Sequence, residues 1–186
     1  MAFRSEKNNV IFIHIMKTGG TFIRTLYPDF VEISPVHASA FQVKQSVSKE
    51  VWDNSFKFGV VRDPYEMMIS LYRYLNDHLE HEDHFMGHLS FQNFLKEFEN
   101  HKLNKGFYKT QKGMLYNGEE CLVNKVFKQE EMYKTVEYLH QNHGARLLNK
   151  KVNTSNFIPV DLTTENISRI NRMFKEDFEV FGYRMK

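Results

Sequence analysis

The chain has 186 residues, a single cysteine (Cys121), a formal net charge of +2, and charged and aromatic fractions of 26% and 15%. That length suits one domain with a substantial buried core, so a single domain over residues 1–186 is expected. One cysteine excludes an intrachain disulfide framework, the small positive charge gives no case for a nucleic-acid partner, and no run of ~18 apolar residues marks a membrane span.

Val10-Ile11-Phe12-Ile13 opens the chain's regular structure as a short β-branched and aromatic run before a glycine-containing turn, the pattern of a buried parallel strand. No small-residue cleavage site follows this short stretch, so it is not read as a secretion signal, and the expected location is the cytoplasm. A helix is predicted from Thr21 to Leu26, a short strand over Phe30–Ile33 and a helix over Ala38–Val47. Phe56 to Val61 is the second strong strand. It runs into Asp63-Pro64-Tyr65-Glu66, where Asp63 can cap, proline suits the first helical position and Glu66 stands where a capping box takes an acid. The helix that starts there should reach about Leu79, with Met68, Leu71, Tyr72 and Leu75 on one face.

A polar, histidine-rich loop is expected over residues 78–88, then a helix over Phe91–Phe98 and a strand over Val123–Phe127. Glu131 to His143 carries Met132, Val136 and Leu139 at helical spacing and is ended by Gly144. Ile167, Ile170, Phe174, Phe178 and Phe181 recur every three or four residues and predict one last helix. Strands alternating with helices imply an α/β fold with a mostly parallel sheet.

Two segments carry chemistry. His14 to Thr21 joins a strand to a helix and contains Lys17, Thr18, Gly19, Gly20 and Thr21. Glycines let backbone approach a ligand closely, amides at a helix start point toward it, and lysine and threonine add a charge and hydroxyls. The combination suits a phosphate or sulfonate. It is not a Walker A loop, which places its lysine after the second glycine; here the lysine precedes the glycine pair. The bland reading is a Gly-Gly turn with a solvated lysine.

The second segment places Arg62 at the carboxyl end of a strand, the edge where open α/β sheets bind ligands. Ser70 follows two helical turns after Asp63 on the same side. An arginine fork and a hydroxyl can converge on a second phosphate. Alone, each has a plainer explanation: a surface ion pair for Arg62, a tolerated small polar residue for Ser70. Asp63 also invites a Walker B reading with magnesium, but its capping pattern explains it without a metal.

At this point the chain resembles the PAPS-dependent sulfotransferases, particularly the carbohydrate-type branch. That family carries a P-K-T-G-G-T loop, which Met16-Lys17-Thr18-Gly19-Gly20-Thr21 resembles. Its V-R-[DN]-P-[YW]-[DE] motif followed by S-x-Y-R-Y is matched by Val61-Arg62-Asp63-Pro64-Tyr65-Glu66 and Ser70-Leu71-Tyr72-Arg73-Tyr74. His37-Ala38-Ser39-Ala40, Asn153-Thr154-Ser155 and Phe174 to Tyr183 are similar to further family segments. Met16 departs from the family's proline and so loses a residue that stiffens the loop, though no ligand group.

The resemblance implies a P-loop-like three-layer α/β sandwich that binds 3′-phosphoadenosine-5′-phosphosulfate (PAPS) and releases 3′,5′-adenosine bisphosphate. It assigns the phosphosulfate to Lys17, Thr18, Gly19, Gly20 and Thr21, and the 3′-phosphate to Arg62 with Ser70. Asn153 and Ser155 join the nucleotide-binding set. Lys17 would stabilise the leaving oxygen and His37 would serve as general base, with Glu66 and Glu130 as lesser candidates. The acceptor would be a hydroxyl on a carbohydrate or small molecule, with no metal. A kinase-like phosphotransferase using magnesium-ATP and a nucleotide-binding module without catalysis are the alternatives. His78, His81, His84 and His88 share helical spacing, but intervening acids favour a solvated loop over a metal site.

Overall fold

The computed structural model describes residues 1–35, 38–77, 88–105, 110–148 and 158–186. Its elements are β1 (Ala2–Ser5), β2 (Val10–Ile13), α1 (Gly20–Leu26), β3 (Val31–Glu32), α2 (Ala40–Ser46), α3 (Lys49–Asn54), β4 (Phe56–Val61) and α4 (Pro64–Asp77), followed by α5 (Phe91–Lys105), α6 (Gln111–Leu115), β5 (Tyr116–Asn117) and β6 (Glu120–Cys121). The remainder is β7 (Lys125–Lys128), a 3₁₀ turn (Gln129–Glu131), α7 (Met132–His143), α8 (Thr164–Met173) and α9 (Lys175–Phe181). These gather into two compact units, residues 1–62 with 113–153 and residues 63–112 with 154–186.

The first unit is an α/β body around a five-stranded sheet of order β3-β1-β2-β4-β7. β2, β4 and β7 are parallel, whereas β1 runs antiparallel to both β2 and β3. The expected mostly parallel sheet therefore holds for the three strands of one side, and the sheet as a whole is mixed. The antiparallel part arises from β1, a four-residue strand whose Arg4 and Ser5 hide it from a hydrophobic pattern. It folds back on β2 through a turn in which the amide and side chain of Asn8 both donate to the Ser5 hydroxyl, at 3.2 and 2.7 Å.

Strand alternation sorts the side chains. Val10 and Phe12 of β2 and Phe58 and Val60 of β4 face Ile23 and Leu26 of α1 and Val136 and Leu139 of α7 in one buried cluster. On the opposite face Gly59 lies against the Leu115 side chain of α6, and the Lys57 ammonium donates to the carbonyl of Trp52 in α3 at 2.9 Å. Helices thus cover both faces of the sheet, and burial lowers the Lys57 pKa.

The second unit is helical. Asp63 caps α4 as its sequence requires: one carboxylate oxygen accepts from the amides of Tyr65 and Glu66 at 2.9 and 3.2 Å. Met68, Leu71, Tyr72 and Leu75 are buried as predicted, joined by Tyr65, Met67 and Ile69. α5 runs beyond the expected Phe98 to Lys105, because no glycine or proline interrupts the chain before Gly106. Glu99 on α5 ties to α8, accepting from Arg169 and from Arg172, the latter at 2.9 and 3.0 Å.

The single last helix expected from periodicity is two. Phe174 leaves helical geometry (φ −119°, ψ 24°) between α8 and α9. The apolar spacing continues through the break, which is why periodicity misses it. Asp177, just beyond, is fully buried and accepts from the amides of Gln111 and Lys112 at 2.9 and 2.8 Å, capping α6.

Candidate phosphate-binding site

The registers of the parallel strands bring three chain segments to one edge. Ile13 is level with Gly59, and Gly59 with Val126. The segments that leave β2, β4 and β7 therefore emerge together at their carboxyl ends: the loop 14–19, Arg62, and the 3₁₀ turn Gln129–Glu131. This is where a parallel sheet leaves room for a ligand.

The loop after β2 has an unusual backbone. Lys17 and Gly19 both have positive φ, 61° and 87°, and Thr18 between them does not. Alternating hand in consecutive residues turns successive amides toward one side, the geometry of anion-binding concavities. Gly19 meets the requirement at no cost. Lys17 is a non-glycine residue in the left-handed region, at a cost of roughly 1–2 kcal/mol. Two interactions hold it there. The Thr18 hydroxyl, fully buried, donates to the carbonyl of Ile15 at 2.9 Å. Arg62 donates from Nη1 to the carbonyl of Lys17 at 3.2 Å.

The glycine pair is set by packing. A Cβ on Gly19 would stand 2.8 Å from Cε of Met132, at the start of α7, and 3.6 Å from Cγ of Gln129. A Cβ on Gly20 would stand 2.1 Å from two atoms of the His14 ring, which lies against Phe3 and Phe12. His14 is therefore half-buried packing against the loop rather than a group reaching outward from it.

The residues singled out from sequence divide accordingly. Lys17, Thr18, Gly19, Gly20, Thr21 and Arg62 lie in one loop cluster of the first unit, with Thr21 exposed. The Thr18 hydroxyl proton is committed to the Ile15 carbonyl, so this side chain closes the loop rather than offering a donor. Ser70 is half-buried on α4, in the second unit. His37, Asn153 and Ser155 lie outside the described residues, as do residues 78–87 with three of the four clustered histidines.

Sequence reading missed Gln129 and Met132, which wall the loop at Gly19. No local signal could have found them: β7 is separated from β2 by β4, and only the tertiary fold brings Gln129 and Met132 to Gly19. Among the described residues no group of three or more His, Cys, Asp or Glu side chains is placed to hold a metal ion. Glu66, on the first turn of α4, is exposed, and so is Glu130. No described helix is long and apolar enough to cross a membrane.

Comparison with known proteins adds no relative: no family model, no curated protein and no solved structure matches this chain.

Proposed function

We propose that the chain is a sulfotransferase that moves the sulfonate of PAPS to an acceptor hydroxyl, on a carbohydrate or a small molecule. The observation that carries this reading is the bond from Arg62 to the Lys17 carbonyl. It joins, across 45 positions of sequence, the two motifs that resemble the phosphosulfate loop and the 3′-phosphate motif of that family. On this reading the parallel β2–β4–β7 core with helices on both faces is a P-loop-like three-layer sandwich, working in the cytoplasm.

The acceptor oxygen attacks sulfur in line, the bond from sulfur to the bridging oxygen breaks, and 3′,5′-adenosine bisphosphate departs. Lys17 is the candidate to stabilise the charge that develops on the bridging oxygen, a contribution that is often the largest in such transfers. The hydroxyl proton goes to a base, for which His37 is the candidate because an imidazole titrates near working pH. Arg62 is the candidate for the 3′-phosphate, and the family resemblance adds Ser70, Asn153 and Ser155 to the nucleotide-binding set. No metal takes part.

The test is thermal stabilisation by 3′,5′-adenosine bisphosphate without metal, beside 5′-AMP and magnesium-ATP. A ligand at 100 times its dissociation constant adds ~2.7 kcal/mol, a shift of roughly 5–10 °C for a chain of this size. The bisphosphate alone should shift the wild type, and Arg62→Ala should lose the effect. No shift, or a larger one with magnesium-ATP, refutes the proposal in favour of a phosphotransferase. A bisphosphate shift without transfer from PAPS to any hydroxyl acceptor leaves a binding module.

A further inference from the structure

β7 closes one side of the sheet. β4 pairs with its inner side, and among the described residues no strand pairs with its outer side. The Phe56 amide donates to the Asn9 carbonyl at 2.7 Å, so Phe56, Phe58 and Val60 turn their backbone groups to β2 and Lys57, Gly59 and Val61 turn theirs to β7. Gly59 is level with Val126, and its amide and carbonyl meet the residues on either side of Val126. Backbone groups of Lys125 and Phe127 therefore point toward β4, and those of Val126 and Lys128 point to the open side.

A groove of about 360 Å³ runs there, lined among others by Lys125, Lys128, Glu131, Lys134 and Tyr138. Three lysines and one glutamate line it. Glu131 is engaged by Lys134 at 2.6 Å, and the Lys125 ammonium is seated 3.7 Å from the centre of the Tyr138 ring. Lysines on an open edge discourage pairing between copies of one chain, since like charges meet like. The same charges favour an edge partner of opposite sign.

We propose that the outer edge of β7 takes an extended acidic peptide as a sixth strand, with carboxylates at alternate positions facing Lys125 and Lys134. Strand addition supplies main-chain hydrogen bonds for affinity, and the alternating side chains supply selectivity. The proposal is independent of the nucleotide reading.

Fluorescence anisotropy of a short labelled peptide alternating Glu and Thr tests it. Saturable binding is expected, weakened about ten-fold or more in the Lys125→Glu/Lys134→Glu variant. An otherwise identical peptide, N-methylated at alternate residues, keeps its charge but loses strand donors and should not bind. That arm uses the wild-type chain and needs no variant to fold. Equal binding of the N-methylated peptide, equal binding of a Lys-Thr peptide, equal displacement by tripolyphosphate per unit charge, or no binding at all overturns the proposal.

Discussion

Substituting Gly20 by alanine tests how tightly the candidate loop is built. An ideal Cβ at this buried position stands 2.1 Å from Cδ2 and Nε2 of His14 and 3.0 Å from Cε1. The ring cannot turn away cheaply, because it packs against Phe3 and Phe12 with centroids 6.2 and 5.6 Å away. Overpacking of this kind costs about 1–3 kcal/mol. The better helix propensity of alanine returns at most ~1 kcal/mol, and less at the first helical position. A net loss of about 1–2 kcal/mol should lower the melting temperature by roughly 2–8 °C.

Thermal denaturation of Gly20→Ala, His14→Ala and the double variant gives a full cycle. If the clash is with His14, removing the ring rescues the alanine, and the double variant is more stable than the sum of the single losses by about 1 kcal/mol. Additive losses would place the clash elsewhere, and an unchanged or raised melting temperature for Gly20→Ala would refute the packing argument. The bisphosphate shift should also fall in Gly20→Ala, because the loop backbone must move to admit the methyl group.

Three further outcomes follow from individual residues. Lys17→Gly removes a left-handed non-glycine residue, a relief of about 1 kcal/mol offset by the greater freedom of glycine in the unfolded chain; the melting temperature should hold or rise while the bisphosphate shift is lost, and a lower melting temperature with the shift intact contradicts both roles. Tyr27 is buried, its hydroxyl has no hydrogen-bond partner among the described residues, and burial together with Asp29 raises its pKa; Tyr27→Phe should stabilise by about 1 kcal/mol, and destabilisation would show that the hydroxyl is satisfied.

His143 is stacked on Phe56, 3.6 Å between ring centres, and its pKa is lowered by burial and then by Lys125. The unfolded chain therefore binds the proton more readily, so this contribution is present above the ordinary histidine pKa and lost as pH falls through the folded value. Melting temperatures of wild type should fall more steeply than those of His143→Gln as pH drops below about 6.5. Parallel curves would mean that the imidazole is solvated.

The elements legible in sequence were those with local causes. The apolar run Val10–Ile13 reads as a buried strand, and Asp63-Pro64-Tyr65-Glu66 reads as a helix start, which the carboxylate bonds to two amides bear out. Gly144 ends α7 where the periodicity stops. β1 was not legible, since Ala2–Ser5 acquires its strand conformation from pairing with β2. α3 escaped too, although Ser48 caps it by accepting from the Val51 amide at 3.2 Å. The break at Phe174 could not be seen, because the apolar spacing continues unchanged from α8 into α9.

For the candidate site the division is similar. The sequence by itself determined which residue types lie between β2 and α1 and after β4: a lysine, two threonines, a glycine pair and an arginine at a strand end. Only the tertiary structure decided that Lys17 is left-handed, that the Thr18 hydroxyl is used within the loop, and that Arg62 holds the loop's carbonyl. The reason is physical: a backbone in a costly conformation persists only when contacts from elsewhere in the fold hold it, and here those contacts come from Arg62, Gln129, Met132 and the ring of His14, which no local pattern brings together.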